Sequence, residues 1–155
     1  MNIALIIAGG SGQRMGQDIP KQFLNVHDRP VIIYTLEAFE RHPNIDAIEV
    51  VCVDGWETIL TAYCKQFNIT KLENIVKGGD NGQSSIRNGI MDIASRHKPE
   101  DLVLIHDAIR PMVSEDIISD CIRVASKYGN AITSIACMEA MLRTADGVSS
   151  REQIA

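Results

Sequence analysis

The 155-residue sequence predicts one domain with a three-layer α/β fold and a mostly parallel sheet. Two patterns predict this class. Short apolar runs alternate with longer segments of helical periodicity along most of the chain. The first run, residues 2–8, is apolar at nearly every position, which is typical of a strand buried on both faces of a parallel sheet. Such strand–helix–strand connections place helices on the faces of the sheet.

The first half of the chain is expected to hold two strands and two helices. The first strand, residues 2–8, ends at Gly9-Gly10, and Pro30 is the expected first residue of the first helix. Apolar residues then recur at helical spacing, at Ile32, Leu36 and Phe39. Residues 47–53 form the second predicted strand. The helix after it has one apolar face, made of Trp56, Leu60, Tyr63 and Phe67.

The third strand and helix surround a second glycine-rich segment. Residues 75–77 are a short predicted strand, and the loop 78–82 follows. Ser84 or Ser85 is the expected N-cap of the third helix, because a hydroxyl there can accept from a free backbone N–H. One face of that helix is predicted to carry Ile86, Ile90, Ile93 and His97.

The last strand–helix pair of the core has clear end signals. Residues 102–106 form the fourth predicted strand, and Ser114 is the expected N-cap of a helix that ends at Gly129. Residues 131–136 are predicted to be a fifth strand.

The remaining residues have a different character. Residues 137–155 show no long period, and Asp146-Gly147 is typical of a hairpin turn. We therefore expect an α/β core over residues 1–136 and the start of a β-arm over residues 137–155.

Composition excludes several classes of protein. The net charge of −5 argues against nucleic acid or an anionic membrane as a partner, and the longest apolar run is far too short to span a bilayer. No basic leader precedes that run. The four cysteines and four histidines lack the close spacing of a zinc site, and buried unpaired cysteines suit a cytoplasmic protein.

A glycine loop follows the first strand over residues 8–15, with Arg14 inside it and Lys21 shortly after. Consecutive glycines allow backbone N–H groups to approach phosphate oxygens. A dinucleotide fingerprint would need Gly in place of Met15 and an acidic residue well before Asp54, and a P-loop would need Gly-Lys-Ser/Thr. What remains is either a nucleoside triphosphate loop neutralised by two cations, or a surface turn whose cations are solvated.

Two further polar loops follow predicted strands. Residues 78–85 combine glycines and hydroxyls at a helix N-terminus, which suits an anion or the polar edge of a base, although a simple capped turn would look the same. Asp107 follows the fourth strand and could hold a hydrated magnesium ion that bridges phosphates. Arg110 beside it could equally form an ordinary ion pair, and His106 is expected to pack or cap. All three loops fall at the carboxyl edge of the sheet, where α/β proteins bind ligands.

The strings IAGGSGQRMGQDIPKQFL, GGDNGQSS and HDAIRP resemble one enzyme family over residues 1–143. Its members are the cytidylyltransferases that make CDP-methylerythritol from 2-C-methyl-D-erythritol 4-phosphate, or CDP-ribitol from ribitol 5-phosphate. The resemblance implies a Rossmann-like nucleotidyltransferase fold, CTP as substrate, Mg²⁺ or another divalent cation, and a homodimer joined by a β-arm. The products would serve isoprenoid synthesis or cell-surface polymers such as teichoic acid or capsule.

The resemblance also implies roles for individual residues. Arg14 and Lys21 match the cations that stabilise the pentacoordinate phosphorus, and Asp107 matches the magnesium carboxylate. Arg110, Glu139 and Ala140 match positions near the acceptor. The nucleotide-binding positions are Ala8, Gly9, Gly10, Gly12, Gly79, Asp80, Ser85 and Ala108.

Three departures from the family pattern bear on substrate and completeness. Gly82 stands where the family usually has Arg, and Glu139-Ala140 stands where the methylerythritol enzymes carry Asp-Thr. The lost hydroxyl favours a polyol or sugar phosphate acceptor other than methylerythritol phosphate. The chain also stops inside the expected arm, before a further strand, a second magnesium carboxylate and another Lys, so a C-terminally truncated domain is expected.

Three alternatives stay open. One is a nucleotide-binding module without turnover, and another is a nucleotidyltransferase that uses UTP and a sugar 1-phosphate. A dinucleotide oxidoreductase ranks last, because the spacing of its fingerprint is absent.

Overall fold

The computed structural model describes residues 1–10, 19–136, 141–145, 148 and 152–154. The strands are β1 Asn2–Ala8, β2 Asn25–Val26, β3 Arg29–Pro30, β4 Ala47–Cys52, β5 Leu72–Lys77, β6 Leu102–Asp107, β7 Met141–Arg143 and β8 Glu152–Ile154. The helices are α1 Val31–Arg41, α2 Glu57–Gln66, α3 Gly82–Arg96 and α4 Glu115–Tyr128, and Lys21–Phe23 form a 3-10 turn. No helix in these ranges is long and apolar enough to cross a membrane.

The central sheet has four parallel strands in the order β5-β4-β1-β6. Along β1, Ala4 and Ile6 face the cluster that α1, α2 and α4 complete, whereas Ile3 and Leu5 face the α3 side. All four side chains are at most 1% exposed. The predicted three-layer α/β arrangement is therefore confirmed, because successive side chains of a strand point to opposite faces.

The ends of several elements lie where the sequence predicted them. β1 covers residues 2–8, and the Ser114 hydroxyl accepts a hydrogen bond from the Ile117 backbone N–H at the start of α4. Gly129 follows α4 with φ of 90°, a left-handed conformation that glycine adopts without a Cβ penalty. Pro30 precedes the first helical residue instead of being it, because it pairs with Asn25 in the short β2–β3 ladder.

The start and the buried face of α3 differ from the prediction. Asn81, and neither Ser84 nor Ser85, caps the helix, and its side chain accepts from the Ser84 N–H in a capping box. The helix buries Ser85, Gly89 and Ile93, whereas Ile90 is 40% exposed and His97 lies after the last turn.

Gly89 explains why α3 turns this face toward the sheet. A Cβ at Gly89 would lie 2.6 Å from Leu5 Cδ1 and 2.8 Å from Val51 Cγ2. The helix therefore approaches the sheet most closely at Gly89, with Ile93 packed beside it, whereas Ile90 stays largely exposed.

The predicted fifth strand is wrong. Residues 131–136 form no ladder with any strand that the structure describes, and Ile132 and Ile135 are 89% and 95% exposed. A short segment with isoleucines can form a strand, but a strand forms only where a neighbour offers backbone hydrogen bonds.

After this segment, β7 and β8 pair antiparallel, as the predicted β-arm requires. The Asp146-Gly147 turn lies outside the described residues, and the division between core and arm stays a prediction.

The cysteines behave as small apolar residues where they are buried. Burial raises the pKa of the Cys52 and Cys64 thiols to about 12, so both stay protonated at neutral pH. Cys121 is half-buried and, like these two, unpaired.

A buried carboxyl group lies on the α3 side of the sheet. Glu49 in β4 is 1% exposed and contacts the Arg96 guanidinium, which also pairs with Asp92 at 2.7 Å. Its Oε1 atom has no hydrogen-bond partner among the described residues. Burial, and then the nearby Asp92 carboxylate, raise the pKa of Glu49 to about 8 despite Arg96.

This shift predicts a pH dependence of stability. Between the ordinary pKa of 4.5 and the folded-state value of about 8, the unfolded chain releases the Glu49 proton while the folded protein retains it. Stability therefore falls as pH rises through that window. Glu49→Gln removes the titration, so wild type should lose Tm relative to this variant between about pH 5 and pH 8. Roughly 2–4 °C corresponds to 1 kcal/mol in a domain of this size.

The matched control is Asp120→Asn, which removes one negative charge from an exposed ion pair with Arg123. Its Tm difference from wild type should stay nearly constant over the same pH range. A Tm difference between wild type and Glu49→Gln that stays constant from about pH 5 to pH 8 would contradict the raised pKa of the buried Glu49 carboxyl.

Candidate functional site

Two glycine loops meet at the carboxyl edge of the sheet. The first begins at the end of β1, and the second connects β5 to α3. A Cβ at Gly78 would lie 3.2 Å from the Gly9 Cα and 3.1 Å from the Cys52 carbonyl oxygen. The loops thus approach each other backbone to backbone, which requires glycine on both sides.

Ser85 holds the second loop against the first. It is 2% exposed, and its hydroxyl accepts a hydrogen bond of 3.0 Å from the Gly79 N–H. A Cβ at Gly9 would lie 2.9 Å from the Ser85 Oγ. Asp80 next to Gly79 is exposed, so this loop presents a carboxylate and backbone groups to solvent.

The first loop is described at its beginning and just after its end. We call residues 8–10 the glycine stem. Gly12 and Arg14 lie outside the described residues. Lys21 opens the 3-10 turn and is half-buried, between the buried Pro20 and Gln22.

Gln22 also belongs to this site, although the sequence did not indicate it. Its side-chain Nε2 donates to the carbonyl oxygens of Ala8 at 2.7 Å and Gly10 at 2.9 Å. No local pattern marks a glutamine for this role, because its partners lie 12 and 14 positions away.

The third loop follows β6. The Arg110 side chain donates through Nε to the Asp107 Oδ2 at 2.7 Å, and both side chains are more than half exposed. This is the ordinary ion pair that the sequence left as an alternative. The His106 ring packs on Phe39 with centroids 5.2 Å apart, and its Nε2 lies 3.0 Å from the Arg110 carbonyl oxygen, as expected for packing and capping.

Ala108 in the same loop is fully buried, and both of its backbone groups are hydrogen-bonded. Its N–H donates to the Ile7 carbonyl, and its carbonyl accepts from the Thr35 hydroxyl at 2.8 Å. Thr35 is 0% exposed and belongs to α1, so the helix that follows the glycine loop also fixes the loop after β6.

An ion pair at this edge was not predicted from the sequence. Lys77 ends β5, and its Nζ pairs with the Asp54 carboxylate, which follows β4, at 2.8 Å. That hydrogen bond raises the pKa of Lys77.

The donor set around Asp107 suits a metal that is shared with a substrate. Among the described residues, no group of three His, Cys, Asp or Glu side chains could form a protein-only metal site. Mg²⁺ commonly binds one or two carboxylates together with substrate phosphates and water. One exposed carboxylate beside a glycine loop fits that pattern.

The structure therefore brings three of the predicted loops to one edge. Ala8, Gly9 and Gly10 lie next to Gly79 and Ser85. Asp107 is the last residue of the neighbouring strand β6, and Ala108 and Arg110 follow it. The predicted acceptor residues Glu139 and Ala140 lie outside the described residues.

Comparison with known proteins gives one family. The family model described as "IspD: 2-C-methyl-D-erythritol 4-phosphate cytidylyltransferase" matches residues 2–153. The ribitol-5-phosphate cytidylyltransferase of Lacticaseibacillus paracasei is 46% identical over 135 residues, which cover 87% of this chain and 58% of the relative. The 2-C-methyl-D-erythritol 4-phosphate cytidylyltransferase of Clostridium botulinum is 39% identical over 134 residues, which cover 86% of this chain and 57% of that relative.

The fold also matches a solved structure. The crystal structure of 4-diphosphocytidyl-2C-methyl-D-erythritol synthase from Anaerococcus prevotii superposes with a TM-score of 0.77 at 26% identity. The match covers 98% of this chain and 62% of that structure. The chain thus spans less than two thirds of the length of each of these three proteins.

The contact between the glycine loops predicts a steric dependence. Gly9→Ala brings a Cβ to 2.9 Å from the Ser85 Oγ, so it should destabilise the protein by about 1–3 kcal/mol, as overpacking does. Adding Ser85→Ala removes that oxygen, so the double variant should be destabilised by less than the sum of the two single destabilisations. Thermal melting of the three variants measures this coupling.

Gly10→Ala is the matched control, because a Cβ there meets no described atom within 4 Å. It should change the free energy of unfolding by less than about 0.5 kcal/mol. Equal destabilisation by Gly9→Ala and Gly10→Ala would show that the loops do not touch as described.

Proposed function

Because the chain belongs to the 2-C-methyl-D-erythritol 4-phosphate cytidylyltransferase family, we propose that the intact protein transfers CMP from CTP to a polyol or sugar phosphate and releases pyrophosphate. The observation that carries this proposal is the meeting of the glycine stem, the Gly79–Ser85 contact and Asp107 at one edge of a parallel sheet. These are the places that the family resemblance assigns to nucleotide and metal.

The nucleotide would lie across the two glycine loops. Its phosphates would bind the backbone of residues 8–10 together with Gly12, where close approach is possible because no side chain intervenes. Its base and ribose would lie at Gly79 and Asp80. Ser85 is buried and would act there chiefly by holding the Gly79 backbone in place. Ala108 is fully buried with both backbone groups paired, so it would act by holding the loop after β6 in place.

The reaction needs positioning and charge neutralisation more than proton transfer. An oxygen of the acceptor phosphate attacks the α-phosphorus of CTP, and the bond from that phosphorus to the bridging oxygen of the β-phosphate breaks, so pyrophosphate leaves. The acceptor phosphate is already anionic at neutral pH and needs no general base. Arg14 and Lys21 would stabilise the charge that grows on the transferred group and on pyrophosphate.

Asp107 would hold the divalent cation, which would neutralise and bridge the phosphates when bound. Arg110 forms an exposed ion pair with Asp107, and such pairs contribute little stability. Arg110 could therefore turn to the acceptor phosphate at small cost, and Glu139 and Ala140 would complete the acceptor site.

We further propose a cytoplasmic homodimer joined through the β-arm. The antiparallel β7–β8 pair supports an arm, and free, buried Cys52 and Cys64 suit a reducing compartment. The net charge of −5 supports partners other than nucleic acid or a membrane.

We predict that ribitol 5-phosphate, or a similar polyol phosphate, is a better acceptor than 2-C-methyl-D-erythritol 4-phosphate. Ala140 lacks the hydroxyl of the methylerythritol branch, and a lost hydrogen bond to a buried group costs about 1–3 kcal/mol, or roughly tenfold to a hundredfold in kcat/KM. The 46% identical relative that is named for ribitol 5-phosphate supports the same choice. Pyrophosphate release from CTP with a panel of acceptors measures the preference.

Ribitol without phosphate is the negative control, because it lacks the attacking group. Ala140→Thr restores the hydroxyl and should shift the preference toward methylerythritol phosphate. A higher kcat/KM for methylerythritol phosphate in wild type would contradict the assignment of the acceptor, while no turnover with any acceptor would overturn the proposed function.

We also predict that Lys21→Ala lowers kcat by about a hundredfold or more, by analogy with the loss of an oxyanion donor. The reason is that Lys21 would act on charge that develops in the transition state, so ground-state binding of CTP should change less. Steady-state kinetics and CTP calorimetry on the intact protein separate the two effects.

Lys65→Ala is the matched control, since Lys65 is exposed on α2. It should keep wild-type kcat. If Lys21→Ala folds normally and also keeps wild-type kcat, the Lys21 ammonium is only solvated and its methylene groups only pack against their neighbours.

A further inference from the structure

The side-chain amide of Gln22 joins two segments of the candidate site. Gln22 is 2% exposed, and its Nε2 donates to the carbonyl oxygens of Ala8 and Gly10 at 2.7 and 2.9 Å. A primary amide nitrogen has two N–H hydrogens, and each is used for one of these carbonyls. Because both partners are acceptors, the nitrogen and not the oxygen of the amide must face the glycine stem.

These bonds help to fix the direction in which the peptide groups of the stem point. In a planar trans peptide the C=O and the following N–H point in opposite directions. With the Ala8 carbonyl turned to Gln22, the Gly9 N–H points away from Gln22. Carbonyl oxygens that turned toward a triphosphate would repel it. The Ala8 carbonyl also accepts from the Val53 N–H at 3.1 Å, so β4 helps to hold it, whereas Gln22 extends the same restraint to the Gly10 carbonyl beyond the end of β1.

The other end of the connection is the turn that carries Lys21. The Phe23 N–H donates to the Pro20 carbonyl at 2.8 Å, and the Phe23 ring stacks on Trp56 with centroids 4.6 Å apart. Pro20 and Phe23 are buried, so Lys21 starts from a fixed backbone position. Gln22, the next residue, hydrogen-bonds this turn to the glycine stem.

We propose that Gln22 is a positioning residue for cytidylyl transfer: it sets the distance between the phosphate-binding stem and the Lys21 ammonium without touching substrate. This inference rests on the proposed function and deepens it. Under that function both groups would act on the same phosphates, so the distance between them matters, and a misplacement of about 1 Å can cost about a hundredfold in rate.

The test uses Gln22→Met in the intact protein, with CTP and the acceptor that gives the highest turnover. The thioether has similar length and no N–H, so kcat should fall on the order of tenfold or more. If Gln22 acts through Lys21, the double variant Lys21→Ala/Gln22→Met should lose clearly less than the product of the two single losses, because residues that act as a unit are not additive.

Gln22→Glu supplies a pH readout. A carboxylate at this position faces two carbonyl oxygens, but its protonated form can donate one hydrogen bond. The kcat of Gln22→Glu relative to wild type should therefore rise as pH falls from about 8 to about 6, while the ratio for Gln22→Met should stay constant.

Ile45→Val is the control for simple destabilisation, because Ile45 is 1% exposed and lies before β4, at the opposite edge of the sheet. It should lower Tm and keep wild-type kcat. A Gln22→Met enzyme with wild-type kcat, or a double variant that shows the full product of both losses, would overturn the inference and leave the proposed function standing. A wild-type protein that releases no pyrophosphate from CTP would overturn the proposed function, and this inference with it.

Discussion

The parallel pairing of β1 on both of its edges is the constraint from which the site follows. β1 pairs with β4 from Ile3 to Ala8 and with β6 from Asn2 to Ile7, and it is buried between helices on both faces. All strands of this sheet therefore end at the same edge. A glycine loop, a capped glycine-rich turn and an acidic loop are brought together there although they are far apart in sequence.

The loops at that edge are held by buried polar side chains. Gln22 binds two carbonyls of the glycine stem, Ser85 accepts from Gly79, and Thr35 donates to Ala108. All three are at most 2% exposed. Buried backbone groups have no access to water, so these side chains supply their hydrogen bonds and hold the loops in one conformation.

The middle of the sheet has a different kind of buried polar group. Glu49 contacts Arg96 on the α3 side, and its raised pKa indicates that this contact does not offset the cost of burying a charge. Gln22, Ser85 and Thr35, by contrast, carry no ionisable group. The pH dependence that Glu49 adds is thus a property of the fold, separate from the chemistry proposed at the carboxyl edge.

The sequence by itself determined what depends on neighbouring residues. The buried run of residues 2–8, the Ser114 cap and the Gly129 stop are local signals, and the alternation of elements was enough to predict that the three loops share one edge. Only the tertiary structure decided the rest. The approach of α3 through Gly89, the bonds of Gln22 and the Thr35–Ala108 bond join residues that are 12 to 84 positions apart, and residues 131–136 needed a strand neighbour that their own pattern could not specify. Local propensity acts over about four residues, whereas these contacts depend on which surfaces the chain brings together.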